Sequence, residues 1–416
     1  MGRSYAKIKC ITGKLNSGAI VTLFNNQVLK NHSQMFHSQQ LCFKSDYMIW
    51  SNDVKTNAKF NSLTCILRNA FLWSGMSCYE RTEDGIKPVN QVEEKSFSWF
   101  GTTVTFSIYT NNLFLEMNDE ETRIIQRLVM KIESTEKRSV EEFLEIQGKI
   151  IALISFAIKN NVNIEGQYLE DFDESHVIKK DVTQYYKHRI MTGHRQLEEY
   201  DRKVWEYNFQ LNEIPLDRDI NEELEKLVPV INLYLSLFKY RDMPLEMIFL
   251  NIIQALETYH SRFYYEDKKD KYVKSVMNRF EESTIYEKIK PLLLSDTQMD
   301  EHCNYIILVS RLNDLMIDDN NPLFYEYWAE RDNYAQVIAD TRHYYTHYGK
   351  AKEAKALKGE DLKDAICTMS WLLEYHICAS LGIDISRKIG QEMNTYDAWK
   401  RLERTQCCEN TTCSNY

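Results

Sequence analysis

The sequence predicts an α+β protein, in which a β-rich N-terminal domain with some helix precedes an all-α helical bundle. Runs before Asn118 alternate apolar and polar side chains, which is typical of half-buried strands. From Asn118 onward the hydrophobic period becomes about 3.6, which is typical of amphipathic helices. The chain of 416 residues has only 13 Gly and 6 Pro, so no long flexible linker is expected. We predict a β-rich domain over 1–215, a helical domain over 216–400 and a polar, cysteine-containing tail over 401–416.

Strand patterns occur in several places within the predicted β-rich domain. The run AIVTLF is rich in residues that favour strands. Apolar and hydroxyl side chains alternate over the segment TVTFSIY, which indicates one buried face and one exposed face. The pair Asn111-Asn112 then predicts a turn. The predicted strands are Ala19–Phe24, Thr103–Tyr109, Leu113–Leu115 and Asn163–Tyr168.

Helix patterns begin with Glu141–Lys159, whose apolar side chains recur along one stripe. After Pro215 the chain is almost purely helical in pattern, and amphipathic helices with short connections indicate an antiparallel bundle. The pair Asn320-Asn321 is the predicted cap of the longest helix, and Gly349 is its predicted stop. The predicted bundle helices are Pro244–Tyr265, Met299–Met316, Pro322–Gly349 and Asp361–Leu381.

The overall charge limits the classes of function. The formal net charge is −10 and the pI is about 5.6, which argues against a protein that coats nucleic acid through its overall field. A local basic patch that acts on RNA is compatible with this composition. No apolar run approaches the roughly 20 residues of a membrane span, and no signal peptide is recognised. A soluble, cytoplasmic protein without a membrane partner is therefore predicted.

The ten cysteines do not follow the spacing of a metal site. No C-x-x-C motif occurs, and most of the cysteines are scattered among apolar residues. Cys407, Cys408 and Cys413 cluster in the polar tail without a second group of ligands at zinc-like spacing. We therefore expect free thiols rather than a disulfide or metal site, and we expect no cofactor.

The segment DTRHYYTHYG, at the end of the longest predicted helix, contains the residues that are the strongest candidates for catalysis. Arg342 and His347 form an Arg-x4-His pair, with tyrosines beside them and lysines directly after them. A guanidinium can hold a phosphate, an imidazole can move a proton, and an aromatic ring can stack on a base. These are the groups that an RNA-cutting site requires. The predicted RNA-binding residues are Tyr345, Tyr348, Lys350 and Lys352.

Helix geometry places a condition on this pair. In an ideal helix Arg342 lies about 40° from Ile338, on the inward stripe, so its charge must be paired, at an interface or in a cleft. His347 lies about 140° further round, so the two side chains do not share a face. They can converge if two copies pack together or if the helix distorts near its end. The same spacing recurs at Arg189 and His194, which makes the motif by itself a weak signal.

Each candidate also has a purely structural interpretation. Arg342 can be a buried, ion-paired arginine and His347 a surface histidine. His343 and His347 have the helical spacing of a zinc pair but lack the glutamate of the H-E-x-x-H motif. Glu257 and His260 lie about one turn apart, and they can form a polar auxiliary to the site or an ordinary helix-surface pair.

The motif segment also carries a family resemblance. TRHYYTHYG, followed by the helix DLKDAICTMSWLLEYHICASLGI, resembles the C-terminal part of Apea-like HEPN domains. LEMIFLNIIQALETYH resembles the earlier helix of that domain, and the β-rich first half is similar to the N-terminal domain of Apea-type proteins. In that family asparagine most often follows the arginine, whereas His343 stands here. His343 can replace the polar role, add a second ionisable group or weaken activity.

The resemblance implies a metal-independent HEPN endoribonuclease, formed where two modules pair, with a role in bacterial anti-phage defence. Arg342 would hold the scissile phosphate, and His347 would be the general acid or base. His343 and Glu257 are the candidate auxiliary residues. The implied partners are RNA, further copies of the chain in a homodimer or higher oligomer, and a phage-derived trigger that the N-terminal domain would recognise. The alternative is a non-catalytic HEPN-like interaction or sensing module.

Overall fold

A computed structural model describes the chain over residues 7–34, 37–51, 58–83, 85–89, 92–110, 125–171, 187–192, 203–215, 219–239, 242–264, 307–316 and 333–396. The chain forms two compact units, Met1–Asn221 and Glu222–Tyr416. The first unit is β-rich and the second is helical, which confirms the predicted α+β fold class.

The strands of the first unit pair in antiparallel fashion. They are β1 (Lys7–Lys14), β2 (Ile20–Gln34), β3 (His37–Lys44), β4 (Tyr47–Ser51), β5 (Phe60–Arg68), β6 (Tyr79–Thr82), β7 (Gly85–Pro88), β8 (Lys95–Trp99), β9 (Thr102–Thr110), β10 (Gln126–Arg138), β11 (Asn163–Glu170) and β12 (Lys187–Thr192). A ten-stranded sheet has the order β1-β2-β4-β12-β11-β5-β10-β9-β8, with β3 paired to β2 beside this path. β6 and β7 form a separate two-stranded sheet.

The strand predictions are confirmed wherever the structure describes them. In β9 the side chains of Val104 and Phe106 are fully buried, whereas Thr103 on the opposite face is exposed. The segment predicted from Ala19 is realised as β2, and the segment predicted from Asn163 is realised as β11. The predicted turn and strand over 111–115 lie outside the described residues.

A long helix covers part of this sheet. Helix α2 (Val140–Ala157) follows the short helix α1 (Phe71–Ser74) in chain order and confirms the predicted amphipathic helix. Ser139 and Glu142 form a reciprocal capping box that satisfies backbone donors at its start. On its buried face Gln147 donates to the Cys65 thiol on β5, with 2.9 Å between Nε2 and Sγ. This contact ties the helix to the middle of the sheet.

The second unit is a helical bundle. Its described helices are α3 (Asn221–Lys239), α4 (Leu245–Phe263), α5 (Leu308–Met316), α6 (Tyr334–His347), α7 (Lys350–Glu353) and α8 (Gly359–Ser380), and a further helical segment covers 386–396. Helix α4 packs against α5, α6 and α8, so it forms the centre of the described bundle. None of the described helices combines the length and apolar character of a membrane span.

The longest predicted helix differs from the observed one at both ends. The prediction runs from Pro322 to Gly349, whereas α6 begins at Tyr334, and residues 317–332 lie outside the described part. Asn333 takes a left-handed conformation with φ 59°, which is incompatible with a continuous helix through that position. The helix also ends before Gly349, because Tyr348 takes the left-handed cap conformation instead.

Candidate functional site

The predicted Arg–His pair lies in the last turns of α6. Arg342 is half-buried, whereas His343 and His347 are exposed. The pair lies within one unbroken α-helix, Tyr334–His347, which ends only at the cap residue Tyr348. The helical distortion that would bring the two side chains onto one face is therefore not present. Arg342 and His347 of one chain stay about 140° apart around the helix axis.

Arg342 faces a carboxylate on the central helix. Its Nη2 lies 3.4 Å from Glu257 Oε2 on α4, and the two side chains are 33% and 16% exposed. This separation is at the long end of a hydrogen bond, and the pair is only partly shielded from solvent. A guanidinium carries several N–H donors, and Glu257 is its one side-chain partner within the described residues. The remaining donors are available to an incoming phosphate.

The two histidines of α6 lie next to each other. The ring centroids of His343 and His347 are 4.8 Å apart and the rings are tilted by 55°. His343 therefore shares its exposed face with His347 and not with Arg342. Among the described residues no group of three or more His, Cys, Asp and Glu side chains is arranged to hold a metal ion.

The segment after α6 folds back onto that helix. Asp340 accepts from Lys352 Nζ at 2.5 Å and from Gln336 Nε2 at 2.9 Å. The hydrogen bond from Lys352 is the main reason why the pKa of the Asp340 carboxyl lies below its usual value, and burial opposes it. Thr341 Oγ1 also accepts from the Leu357 amide at 3.1 Å. Lys352, predicted to bind RNA, instead has its charge paired within the chain.

Tyr345 differs in a similar way from its predicted role. It is buried, its ring packs edge-on against Phe249 of α4, and its hydroxyl donates to the Leu357 carbonyl at 2.9 Å. Burial raises the pKa of this phenol. The ring therefore has no face free for a base, because the inward helical stripe places it in the core. Tyr348, 65% exposed, and the exposed Lys350 are the predicted contact residues that solvent can reach.

A buried polar cluster supports the position of Glu257. Arg311 of α5 is buried, and its Nη1 donates to the Glu257 carbonyl at 3.2 Å and to the Ser261 hydroxyl. His260 is fully buried, with Nε2 lying 2.8 Å from Asp314 Oδ2. The interpretation of Glu257 and His260 as an ordinary surface pair is therefore wrong.

The sequence contained a signal for one member of this cluster. His260 continues the buried stripe of Phe249, Ile253 and Leu256 at intervals of three or four residues, which predicts an inward position. No local pattern identifies Arg311, because its partners lie 50 and 54 residues earlier in the chain.

The second Arg-x4-His match lies in a different setting. Arg189 is an exposed residue of β12, and its backbone pairs with Trp50 of β4. His194 lies outside the described residues. A strand supplies none of the helical context of the first match.

Comparison with protein families gives two matches. The model for the ApeA N-terminal domain 1 matches residues 2–222, and the model for Apea-like HEPN matches residues 250–386. The first covers more than half of the chain, and the second includes α6 with Arg342 and His347. Neither the curated proteins nor the solved structures gave a match.

Proposed function

This chain belongs to the ApeA-like HEPN proteins, and on that premise we propose that its helical unit is a metal-independent endoribonuclease that acts in anti-phage defence. The main support for the proposal is the environment of the Arg342 guanidinium. Its guanidinium is half-exposed, is positioned by Glu257 and has donors to spare on the same helix as an exposed His347.

The proposed chemistry uses one guanidinium and one imidazole. His347, as general base, removes the proton of a ribose 2′-hydroxyl, and the 2′-oxygen attacks the adjacent phosphorus. The bond from phosphorus to the 5′-oxygen breaks, and that oxygen is protonated by an imidazolium. The products are a 2′,3′-cyclic phosphate and a 5′-hydroxyl. Arg342 donates to the phosphate oxygens, where negative charge grows in the transition state.

The proposed site forms between two copies of the chain. Because α6 is regular, Arg342 and His347 of one copy point in different directions, and one copy cannot close both groups around one phosphate. Two α6 helices packed about a two-fold axis would supply each half-site with both groups. RNA is then the substrate and a homodimer is the smallest active unit.

The surroundings suggest which other residues assist. Glu257 would aim Arg342, and His343, beside His347, would supply a second ionisable group or a polar contact. Tyr348 and Lys350 are exposed at the end of α6, where they could stack on a base and attract a phosphate. Tyr345 and Lys352 would instead support the site, because both are held by contacts within the chain.

The test is RNA cleavage by the purified full-length chain in the presence of EDTA. We expect cleavage with cyclic-phosphate ends, and at least a hundredfold loss in Arg342→Ala and His347→Ala. Arg387→Ala is the matched control, because this arginine is exposed on the helical segment 386–396. Full activity of the Arg342→Ala protein would show that Arg342 is not part of the active site.

A non-catalytic interaction module is the second candidate. The formal net charge of −10 and the ion pair of Arg342 with Glu257 favour it, because both weaken the attraction of the site for RNA. Intact RNA after incubation with a folded, dimeric protein would favour this candidate over the nuclease. Faster cleavage by the segment 216–400 than by the full chain would support restraint by the β-rich unit.

A further inference from the structure

The second strand of the sheet contains one residue with an unusual backbone conformation. Asn25 has φ 54°, a left-handed conformation that non-glycine residues adopt uncommonly. The ladder between β1 and β2 pairs Ile8 with Asn26 and Cys10 with Phe24, and no pair is formed between them. Non-glycine residues in such sparsely populated backbone conformations cluster at active sites and ligand-binding sites.

A buried asparagine fixes the backbone next to Asn25. Asn26 Nδ2 donates to the carbonyls of Ile8 and Leu23 at 3.2 and 3.0 Å, and its Oδ1 accepts from the Ser45 hydroxyl at 2.6 Å. These bonds connect β1, β2 and the turn between β3 and β4. The local backbone shape is thus specified by side-chain contacts, and the left-handed Asn25 is kept at the surface.

A cleft of about 470 Å³ opens beside Asn25. Its volume lies in the range of small-molecule sites. The lining contains three lysines and one aspartate, so positive charge dominates. Within the described residues these lysines make no ion pair with the aspartate or with any other acid, and they are exposed. The polar residues of the lining include Lys7, Lys9, Lys44, Asp46, Asn25 and Gln27.

The cleft also carries neutral hydrogen-bonding groups. The side-chain amides of Asn25 and Gln27 line it, and each offers both donors and an acceptor. A ligand that contacts both the amides and the lysines would combine an anionic group with a polar group that donates and accepts hydrogen bonds.

A second hollow of about 250 Å³ adjoins the first and shares Lys9 and Asn25 with it. Its floor includes Phe24 and Tyr47, whose rings are stacked with 4.7 Å between centroids. Tyr47 is fixed there because its hydroxyl donates to Glu141 Oε1 at 2.6 Å. The cationic cleft thus lies beside a hollow whose lining combines aromatic rings with Lys59 and Glu141.

We propose that this paired cleft binds a nucleotide, with its phosphate between Lys7, Lys9 and Lys44 and its base toward the hollow above Phe24 and Tyr47. Lysine is well suited to a phosphate as a point charge. Asn25 lines both the cleft and the hollow, and its amide matches the mixed donors and acceptors of a base edge. The nucleotide can be free or part of a single strand. The proposal concerns the β-rich unit and does not depend on nuclease activity.

The test measures binding by the full-length His347→Ala chain, in which the proposed nuclease is inactive. One arm titrates AMP, GMP, CMP and UMP by calorimetry, and the other follows the anisotropy of a fluorescein-labelled 2′-O-methyl oligouridine. The variants are Lys9→Ala and Lys44→Ala. Lys14→Ala is the control, because it is an exposed lysine of the same strand as Lys9 and does not line the cleft.

We expect each cleft variant to bind roughly tenfold more weakly. The slope of log affinity against log salt concentration should fall by about one, which corresponds to one lost phosphate contact. Lys14→Ala should change neither quantity. Binding of a mononucleotide identifies a free nucleotide as the ligand, and binding of the oligouridine alone identifies a strand. The proposal is overturned if neither probe binds, or if binding is the same in the cleft variants as in Lys14→Ala.

Discussion

The carboxylate of Glu257 lies 3.4 Å from the guanidinium of Arg342 and thereby connects the central helix α4 to the motif helix α6. The pair is partly exposed, so its contribution to stability is small, below about 1 kcal/mol. Its consequence for function is larger, because a catalytic arginine must be held within a fraction of an ångström of its working position.

Glu257→Gln separates these two effects. We expect RNA cleavage to fall roughly tenfold, since a neutral amide holds the guanidinium less firmly, while the free energy of unfolding changes by less than about 1 kcal/mol. Cleavage rates and urea unfolding measure the two quantities. Glu360→Gln is the control, because Glu360 forms an exposed pair with Lys363. Faster cleavage in Glu257→Gln would mean that Glu257 restrains Arg342 rather than aiming it.

Asp314→Ala tests the buried polar cluster beneath the site. His260 is fully buried and has its Nε2 2.8 Å from Asp314 Oδ2, so removal of the carboxylate leaves a buried imidazole nitrogen without this partner. We expect a loss of about 1–3 kcal/mol in the free energy of unfolding. Asn313→Ala, an exposed neighbour on α5, should stay within about 0.5 kcal/mol of the parent. Equal stability of the two variants would contradict this view of the cluster.

The bond between Asp340 and Lys352 predicts a specific pH dependence. The pKa of Asp340 is lowered in the folded state, mainly by this hydrogen bond, below an unfolded value of about 3.9. A lowered pKa contributes stability above the unfolded value, and this contribution is lost as the pH falls through the folded value. We expect Asp340→Asn to be about 1–2 kcal/mol less stable than the parent at neutral pH.

That stability difference should shrink progressively once the pH falls below about 4. Urea unfolding of both proteins across this range gives the measurement. Asp242→Asn, at an exposed position before α4, should show no comparable difference at neutral pH. A gap that stays constant down to about pH 3 would mean that the carboxylate charge is not its source.

The buried thiol of Cys65 should resist modification in the native state. Burial raises its pKa to about 12, against a smaller opposing effect of the hydrogen bond from Gln147. Since the thiolate is the reactive form, iodoacetamide at neutral pH should label the exposed Cys42 far faster than Cys65. Peptide mass spectrometry before and after denaturation measures this ratio. Equal labelling of both sites in the folded protein would contradict the burial of Cys65.

Much of the local structure could be predicted because it depends on short-range patterns. The alternation around Val104 and Phe106 predicts a strand with one buried face, and the structure buries both side chains. The apolar stripe over Asp361–Leu381 predicts α8 almost residue for residue. Among the six cysteines that the structure describes, Cys65 and Cys378 are buried within apolar stretches.

The candidate site was less predictable because its contacts join distant parts of the chain. Glu257 and Arg342 are 85 residues apart, and helix periodicity indicates which way a side chain points but not what it meets. Lys352 was expected to face RNA because the nearby acids in sequence are few. In the folded chain the turn after α6 brings Lys352 back to Asp340, which lies 12 residues earlier in the chain.

The sequence by itself determined that a β-rich part precedes a helical part, as well as the inward stripe of α6 and the presence of Arg342 and His347 near its end, because backbone propensity and hydrophobic periodicity act over a few residues. Tertiary structure alone decided that Arg342 pairs with Glu257, that Tyr345 is buried, and that Asn25 lines a cleft with three lysines. These outcomes depend on which elements pack together, and the free energy of packing is shared among residues that are remote in sequence.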